Sequence, residues 1–151
     1  MPITDAMRAR HVVRQYLSTP LPDDVIAALR SRIEDNNRAH GTDIRLVTGD
    51  ARVFGPLWGT VRARSVRNCL IMSGPDAPDL DERLGYGGAD LMLAAQDLGL
   101  NTWWIGGTFS KRAAARVSGA TGRIVAVVAL GYGATQGSAH ASKRPEEVSS
   151  Y

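Results

Sequence analysis

The feature that most constrains this 151-residue chain is the stretch "ADLMLAAQDL" at residues 89–98. Leu91, Met92, Leu93, Ala94, Ala95 and Leu98 leave only Asp90, Gln96 and Asp97 polar, so a helix here is apolar around most of its circumference. Such a helix must be covered from several directions. A chain of this length builds one compact domain, residues 1–151, with few elements to supply that cover. A second copy lending one face is the expectation, which makes the chain a homodimer.

The remaining elements follow from periodicity and punctuation. Residues 4–13 suggest a short helix, with Thr4 or Asp5 as N-cap and Met7 and Val13 on its apolar side, which gathers Arg8, Arg10 and Arg14 near its C-terminal end. The clearest helix follows "STPLP": Pro22 suits its first turn, Asp23 and Asp24 suit the positive helix end, and Val25, Ile26, Leu29 and Ile33 share a face. It ends between Asn36 and Gly41. Residues 44–48 alternate as a strand, whereas "CLIMS" has no polar alternation and reads as a strand buried on both faces. "GPDAPDLDERLG" reads as a turn-rich surface connection. After the apolar helix come the strand "TWWIGG", a helix "KRAAARVSG" capped by Ser110 and closed by Gly119, the central strand "RIVAVVALGYG" and a polar tail. Strands alternating with helices argue for a mixed sheet covered by helices.

Composition excludes several classes of function. With 44% hydrophobic and 22% charged residues, the chain has no apolar run near the roughly 20 residues that span a bilayer, so no membrane partner is expected. Asp5 and the lack of a long apolar core before a cleavage site argue against a secretory signal, and the chain is expected to be cytoplasmic. Cys69, the single cysteine, lies in an apolar strand and reads as a buried thiol. The formal charge of +3 comes mainly from arginine, which favours bidentate contacts with phosphate or carboxylate, so an anionic ligand is the natural partner. Arg52, Arg62, Arg64 and Arg67 around Trp58 form a patch of the kind nucleic acid takes, but the excess charge is small and spread out, and no nucleic-acid partner is expected.

Motifs narrow the chemistry further. Gly131, Gly133 and Gly137 are spaced one residue too long for G-x-G-x-x-G, and no amphipathic helix follows to meet a pyrophosphate. His11, His40 and His140 have no metal-ligand spacing, and no hydrolase or P-loop motif occurs. Trp103 and Trp104 are adjacent on a strand, so they point to opposite sides. Gly106 and Gly107 end that strand as a plain turn or as backbone open to a flat ligand. Arg8, Arg10 and Arg14 read as a solvated face or as an anion site.

Four segments together resemble the nitroreductase family. "RHVVRQYLSTPLPDDVIAALRSRI" is similar to its opening R-R-S-V-R-x-F/Y signature, P-hydrophobic-P turn and helix. "YGGADLMLAAQDLGLNTWWIGG" resembles the interface helix and strand with the pattern NLMLAAxxLGLGTCWIGG, "IVAVVALGYG" its last core strand, and "SKRPEEV" the basic segment after it. "WGTVRARS" and "WIGGTFSK" look closest to the TM nitroreductase branch.

This resemblance implies an α+β domain with a central mixed sheet, flanking helices and a long apolar helix at a homodimer interface. It implies FMN bound at that interface, with NADH or NADPH as electron donor and nitroaromatics, quinones or similar small molecules as acceptors in ping-pong exchange. The flavin would carry the chemistry, and no catalytic side chain is required. Arg10 and Arg14, with His11 and Val12 between them, match the positions that hold the FMN phosphate and ribityl side. Ile105, Gly106 and Gly107 match the strand end facing the isoalloxazine, and Lys143 and Arg144 match the later cations that converge on the phosphate. Two departures stand out: Val12 replaces the signature serine, and no P-S/T-x-x-N-x-Q segment is present, Asn36 and Asn37 having the wrong spacing. They imply a short or truncated member, or alternatively a non-catalytic flavin-binding or regulatory dimer.

Overall fold

The structure is a computed structural model and describes residues 2–50, 52–54, 65–139 and 143–149. In chain order it contains α1 (Ile3–Ala9), α2 (Asp23–His40), β1 (Arg45–Val47), a 3₁₀ turn (Arg52–Phe54) and β2 (Asn68–Gly74). Then follow α3 (Leu80–Asp97), β3 (Asn101–Ile105), α4 (Lys111–Ser118), β4 (Arg123–Gly131) and α5 (Pro145–Val148). The strands form one sheet in the order β1-β2-β4-β3, and every ladder between them is antiparallel. The parallel component is a bridge that Val12 makes to Thr102 on edge strand β3.

Alternation along the strands divides the core in two. Cys69, Ile71, Val127 and Ala129 face a cluster completed by Val53, Phe54 and Ala114 of α4. Leu70, Met72, Ala126, Val128 and Leu130 face Leu29 and Ile33 of α2 and Leu80, Leu84, Leu91 and Ala95 of α3. With both faces covered, all seven residues of β2 are buried, which accounts for the missing polar alternation in "CLIMS". Trp103 packs with the first cluster and Trp104 with the second, as adjacent strand residues must.

Two elements differ from the sequence expectation. The first helix stops at Ala9 instead of continuing to Val13, and its N-cap is Pro2 with no side-chain cap. Arg10 is already extended (φ −72°, ψ 118°) because the next residues turn onto β3, where the Val13 N–H donates to the Thr102 carbonyl at 3.4 Å. The apolar helix begins at Leu80, so "LDERLG" is helical and not a surface connection. α2 starts at Asp23, with Pro22 just outside it as an N-cap that makes no side-chain cap bond, and stops at a left-handed Gly41 (φ 59°), as that glycine indicates.

Cover for α3 comes in large part from the same chain. The sheet buries Leu84, Gly88, Leu91 and Ala95, and α1 packs against the helix on another side. α2 is tied to α3 by Arg32, which donates twice to the Asp90 carboxylate at 2.8 and 2.5 Å, and by Asn36 Nδ2, which donates to it at 2.7 Å. Among the described residues no helix is long and apolar enough to cross a membrane.

Candidate functional site: a cationic segment on the edge strand

Residues 10–17 form a strap sewn between β3 and the chain that leaves β4. Val12 bridges Thr102, and Tyr16 bridges Gly133. The Leu17 N–H donates to the Tyr132 carbonyl at 2.8 Å, and the Ala134 N–H donates to the Gln15 carbonyl at 2.8 Å. Val13 and Tyr16 anchor the strap in the core, and burial pushes the Tyr16 phenol well above its usual pKa. Gly137, in the left-handed region (φ 78°), crosses the strap so closely that a Cβ there would lie 2.7 Å from His11 Cβ and 2.9 Å from the Val12 oxygen. Gly137 therefore serves chain crossing, and the described residues up to 139 open no helix behind it.

The strap's arginines differ electrostatically from most others in the chain. Arg8 pairs with Asp5, Arg32 with Asp90, Arg45 with Asp43, Arg52 with Asp50, Arg83 with Asp79, and Arg123 with Asp76 and Asp81. Among the described residues, neither Arg10 nor Arg14 has a carboxylate partner. The side chains of Arg30, Arg67, Arg112, Arg116 and Arg144 are also without a carboxylate partner there, but they are exposed at separate places along the chain. Arg14 instead lies over the Trp103 ring, its guanidinium carbon 5.1 Å from the centroid. The strap thus presents two cations with no carboxylate partner among the described residues, one of them over an indole ring.

At the far end of β3, Ile105 is buried while Gly106 and Gly107 are exposed. A Cβ at either glycine would meet no heavy atom within 4 Å. Four residues, roughly 13 Å of strand, separate Thr102 beside the strap from Gly106. One edge therefore offers cations at one end and open backbone at the other, a layout for a ligand with an anionic group and a flat ring. Lys143 and Arg144 are exposed at the start of α5, where the Arg144 N–H donates to Glu147 Oε2 at 2.8 Å. No hydrogen bond or ion pair joins either of them to the strap among the described residues.

Other chemistry is absent from the described residues. No group of His, Cys, Asp or Glu there could hold a metal ion. Burial pushes the Cys69 thiol up to about 12, which leaves it inert as a nucleophile. Asn36 and Asn37 are committed to structure, Asn36 to Asp90 and Asn37 to the Ile44 carbonyl at 2.9 Å. Of the basic patch around Trp58, residues Arg62, Arg64 and Trp58 itself lie outside the described residues, and Arg52 is held by Asp50. The contact that sequence reasoning missed is Arg14 on Trp103, because the alternation of a strand places Trp103 on a face but cannot say what crosses it.

The family model described as "Putative TM nitroreductase" matches residues 2–151. The chain belongs to that family. Solved structures similar to this nitroreductase-family chain include a "putative nitroreductase in complex with FMN" from Desulfovibrio desulfuricans, with a TM-score of 0.71 and 20% identity over 96% of this chain and 92% of that one. An FMN-dependent nitroreductase from Clostridium difficile R20291 gives 0.73 and 10% identity over 97% and 96% of the two chains. An NADPH:FMN oxidoreductase from Vibrio harveyi, complexed with NAD+, gives 0.73 and 16% over 99% and 76%. At these identities the likeness establishes the α+β nitroreductase fold. No curated protein matches the chain significantly.

Proposed function

We propose that this chain is an FMN-dependent oxidoreductase that takes electrons from NADH or NADPH and passes them to nitroaromatic, quinone or similar acceptors. The observation that carries the reading is the edge of β3, with Arg10 and Arg14, which have no carboxylate partner among the described residues, beside Thr102 and open backbone at Gly106 and Gly107. Family membership supports it, as do the FMN-containing and FMN-using proteins that share the fold.

The residues present fit a flavin mononucleotide. Arg10 and Arg14 would hold the phosphate, with charge-assisted bonds contributing about 1.5–3 kcal/mol each. His11 and Val12 line the same strap, and Lys143 and Arg144 would add positive charge from the C-terminal side. The Gly106 and Gly107 amides, free of side chains, would donate to the ring edge, with Ile105 fixing the strand end beneath them. When bound, FMN supplies hydride acceptance from the nicotinamide and reduction of the acceptor. The chain's own part is to bind, orient and tune, and no side chain here needs to act as a nucleophile.

A homodimer belongs to the same proposal. Ile3 and Met7 of α1 are 61% and 62% exposed, and Leu93 and Ala94 of α3, with Leu98 at its C-cap, line a cleft of about 360 Å³ beside Ile3. These apolar residues, beside Arg32, Asp90 and Asp97 on the same cleft, suit a second copy. A non-catalytic flavin-binding or regulatory dimer is the second reading, favoured by Val12 in place of serine and by the structural commitment of Asn36 and Asn37.

Anaerobic mixing of the FMN-reconstituted protein with NADH and with NADPH tests the reading. Loss of the flavin's visible absorbance, restored by a nitroaromatic or quinone acceptor, is the expected result. Bound flavin that neither nucleotide bleaches would leave the non-catalytic dimer as the function.

A further inference from the structure

We propose that Trp103 is a positioning residue whose indole holds the Arg14 guanidinium ready for the phosphate of FMN; this rests on the flavin reading above. Arg14 is exposed and follows a strap segment that is not helical, so by itself its long side chain would sample many rotamers and lose that freedom on binding. Trp103 removes much of that freedom in advance. Its backbone is fixed by pairing with Ala129, and its ring packs against the buried cluster on that face of the sheet. The strap is fixed as well, by the Val12 bridge to Thr102 and the Val13 N–H bond to the same residue. Platform and arginine are therefore both anchored to β3.

The geometry suits an anion. A guanidinium carries five N–H donors, so one held over an indole by the cation–π attraction keeps donors for phosphate oxygens. Arg14 has no carboxylate competing for those donors among the described residues. The chain also departs from the family pattern twice in this patch. Val12 stands in place of the signature serine, and Trp103 stands in place of the cysteine before W-I-G-G. A hydroxyl is missing where the strap meets β3, and an indole is present next to it.

The test is a set of binding titrations with FMN and with riboflavin, which lacks the phosphate, on wild type, Trp103→Leu, Trp103→Phe, Arg14→Ala and the Arg14→Ala/Trp103→Leu double variant, each checked by thermal melting. Trp103→Leu should weaken FMN about five-fold, as expected for loss of a partly exposed cation–π contact, and leave riboflavin unchanged. In the Arg14→Ala background the same change should have no further effect on FMN. Trp103→Phe, which keeps a ring, should fall between wild type and Trp103→Leu, and it carries the test if the leucine variant does not fold. Equal weakening of FMN and riboflavin, or an undiminished effect without Arg14, would overturn the proposal and leave Trp103 a packing residue. A wild-type protein that binds neither ligand would overturn the flavin reading itself, whereas tight wild-type FMN binding indifferent to Trp103 would overturn this inference alone.

Discussion

Gly88 in α3 lies directly against Trp104 of β3: a Cβ on the glycine would come within 2.4 Å of the indole Cζ3 and 2.9 Å of Met72 Cε. Helix and sheet approach one another at this point because the glycine has no side chain. The approach seats the helix that carries Asp90 on one face of β3, while the strap carrying Arg14 meets the same strand from its edge.

Gly88→Ala should therefore destabilise the fold by about 1–3 kcal/mol through overpacking. Helix propensity alone predicts the opposite sign, a gain of about 1 kcal/mol. Urea unfolding of the variant separates the two, and a lowered midpoint is the expected result.

The same contact explains where the fold was legible and where it was not. α2, with Asp23 and Asp24 at its start and Gly41 at its end, and α4, between Ser110 and Gly119, carry their boundaries in local cap chemistry. β2 and β4 were visible as apolar runs. The first turns of α3 were hidden because "GPDAPDLDERLG" reads as a turn-rich connection, and only the tertiary packing of Trp104 and Met72 gives Gly88 its reason. The end of α1 at Ala9 is hidden for a related cause, since the pairing that straightens Arg10 to Val13 is with Thr102, far away in sequence.

Asp90 gives the fold a pH dependence. The hydrogen bond from Arg32, helped by that from Asn36, outweighs partial burial and holds its carboxyl below the usual range. The folded value lies below the unfolded one of about 3.9, so the stabilisation is complete above that range and is lost as pH falls through it. Asp90→Asn should cost about 1 kcal/mol at pH 7, and the gap to wild type should narrow at pH 3. Chemical denaturation at the two pH values measures both.

Ser110 accepts the Ala113 N–H at 3.2 Å and closes the start of α4, and its own N–H donates to the Val53 carbonyl at 3.1 Å just after the Gly106–Gly107 turn. Ser110→Ala should lower stability by about 1 kcal/mol, while Ser110→Asp should largely retain it. Thermal melts of the pair check the cap.

Arg10 and Arg14 should act through charge. Arg10→Ala and Arg14→Ala are each expected to weaken FMN binding about tenfold or more and to leave riboflavin nearly unaffected. Raising the ionic strength should weaken wild-type binding more than that of either variant. Flavin fluorescence titration at two salt concentrations measures both effects.

Arginine spacing and paired glycines are local signals, so the candidate residues of this edge are legible in the sequence. The strap that carries Arg10 and Arg14 meets, through the bridge from Val12 to Thr102, the strand after which Gly106 and Gly107 follow. Trp103 beneath Arg14 was not readable, since nothing local couples two residues so distant in sequence. Lys143 and Arg144 follow residues 140–142, which lie outside the described residues, and their link to the strap stays a proposal of the sequence pattern.

The most direct measurement is flavin fluorescence anisotropy, with FMN and riboflavin titrated in parallel by the purified full chain. A saturable rise with FMN at one flavin per chain, and a much weaker response with riboflavin, is the result this account predicts. No rise with either flavin across the micromolar range, or equal responses to the two, would contradict a phosphate-anchored flavin site on the edge of β3.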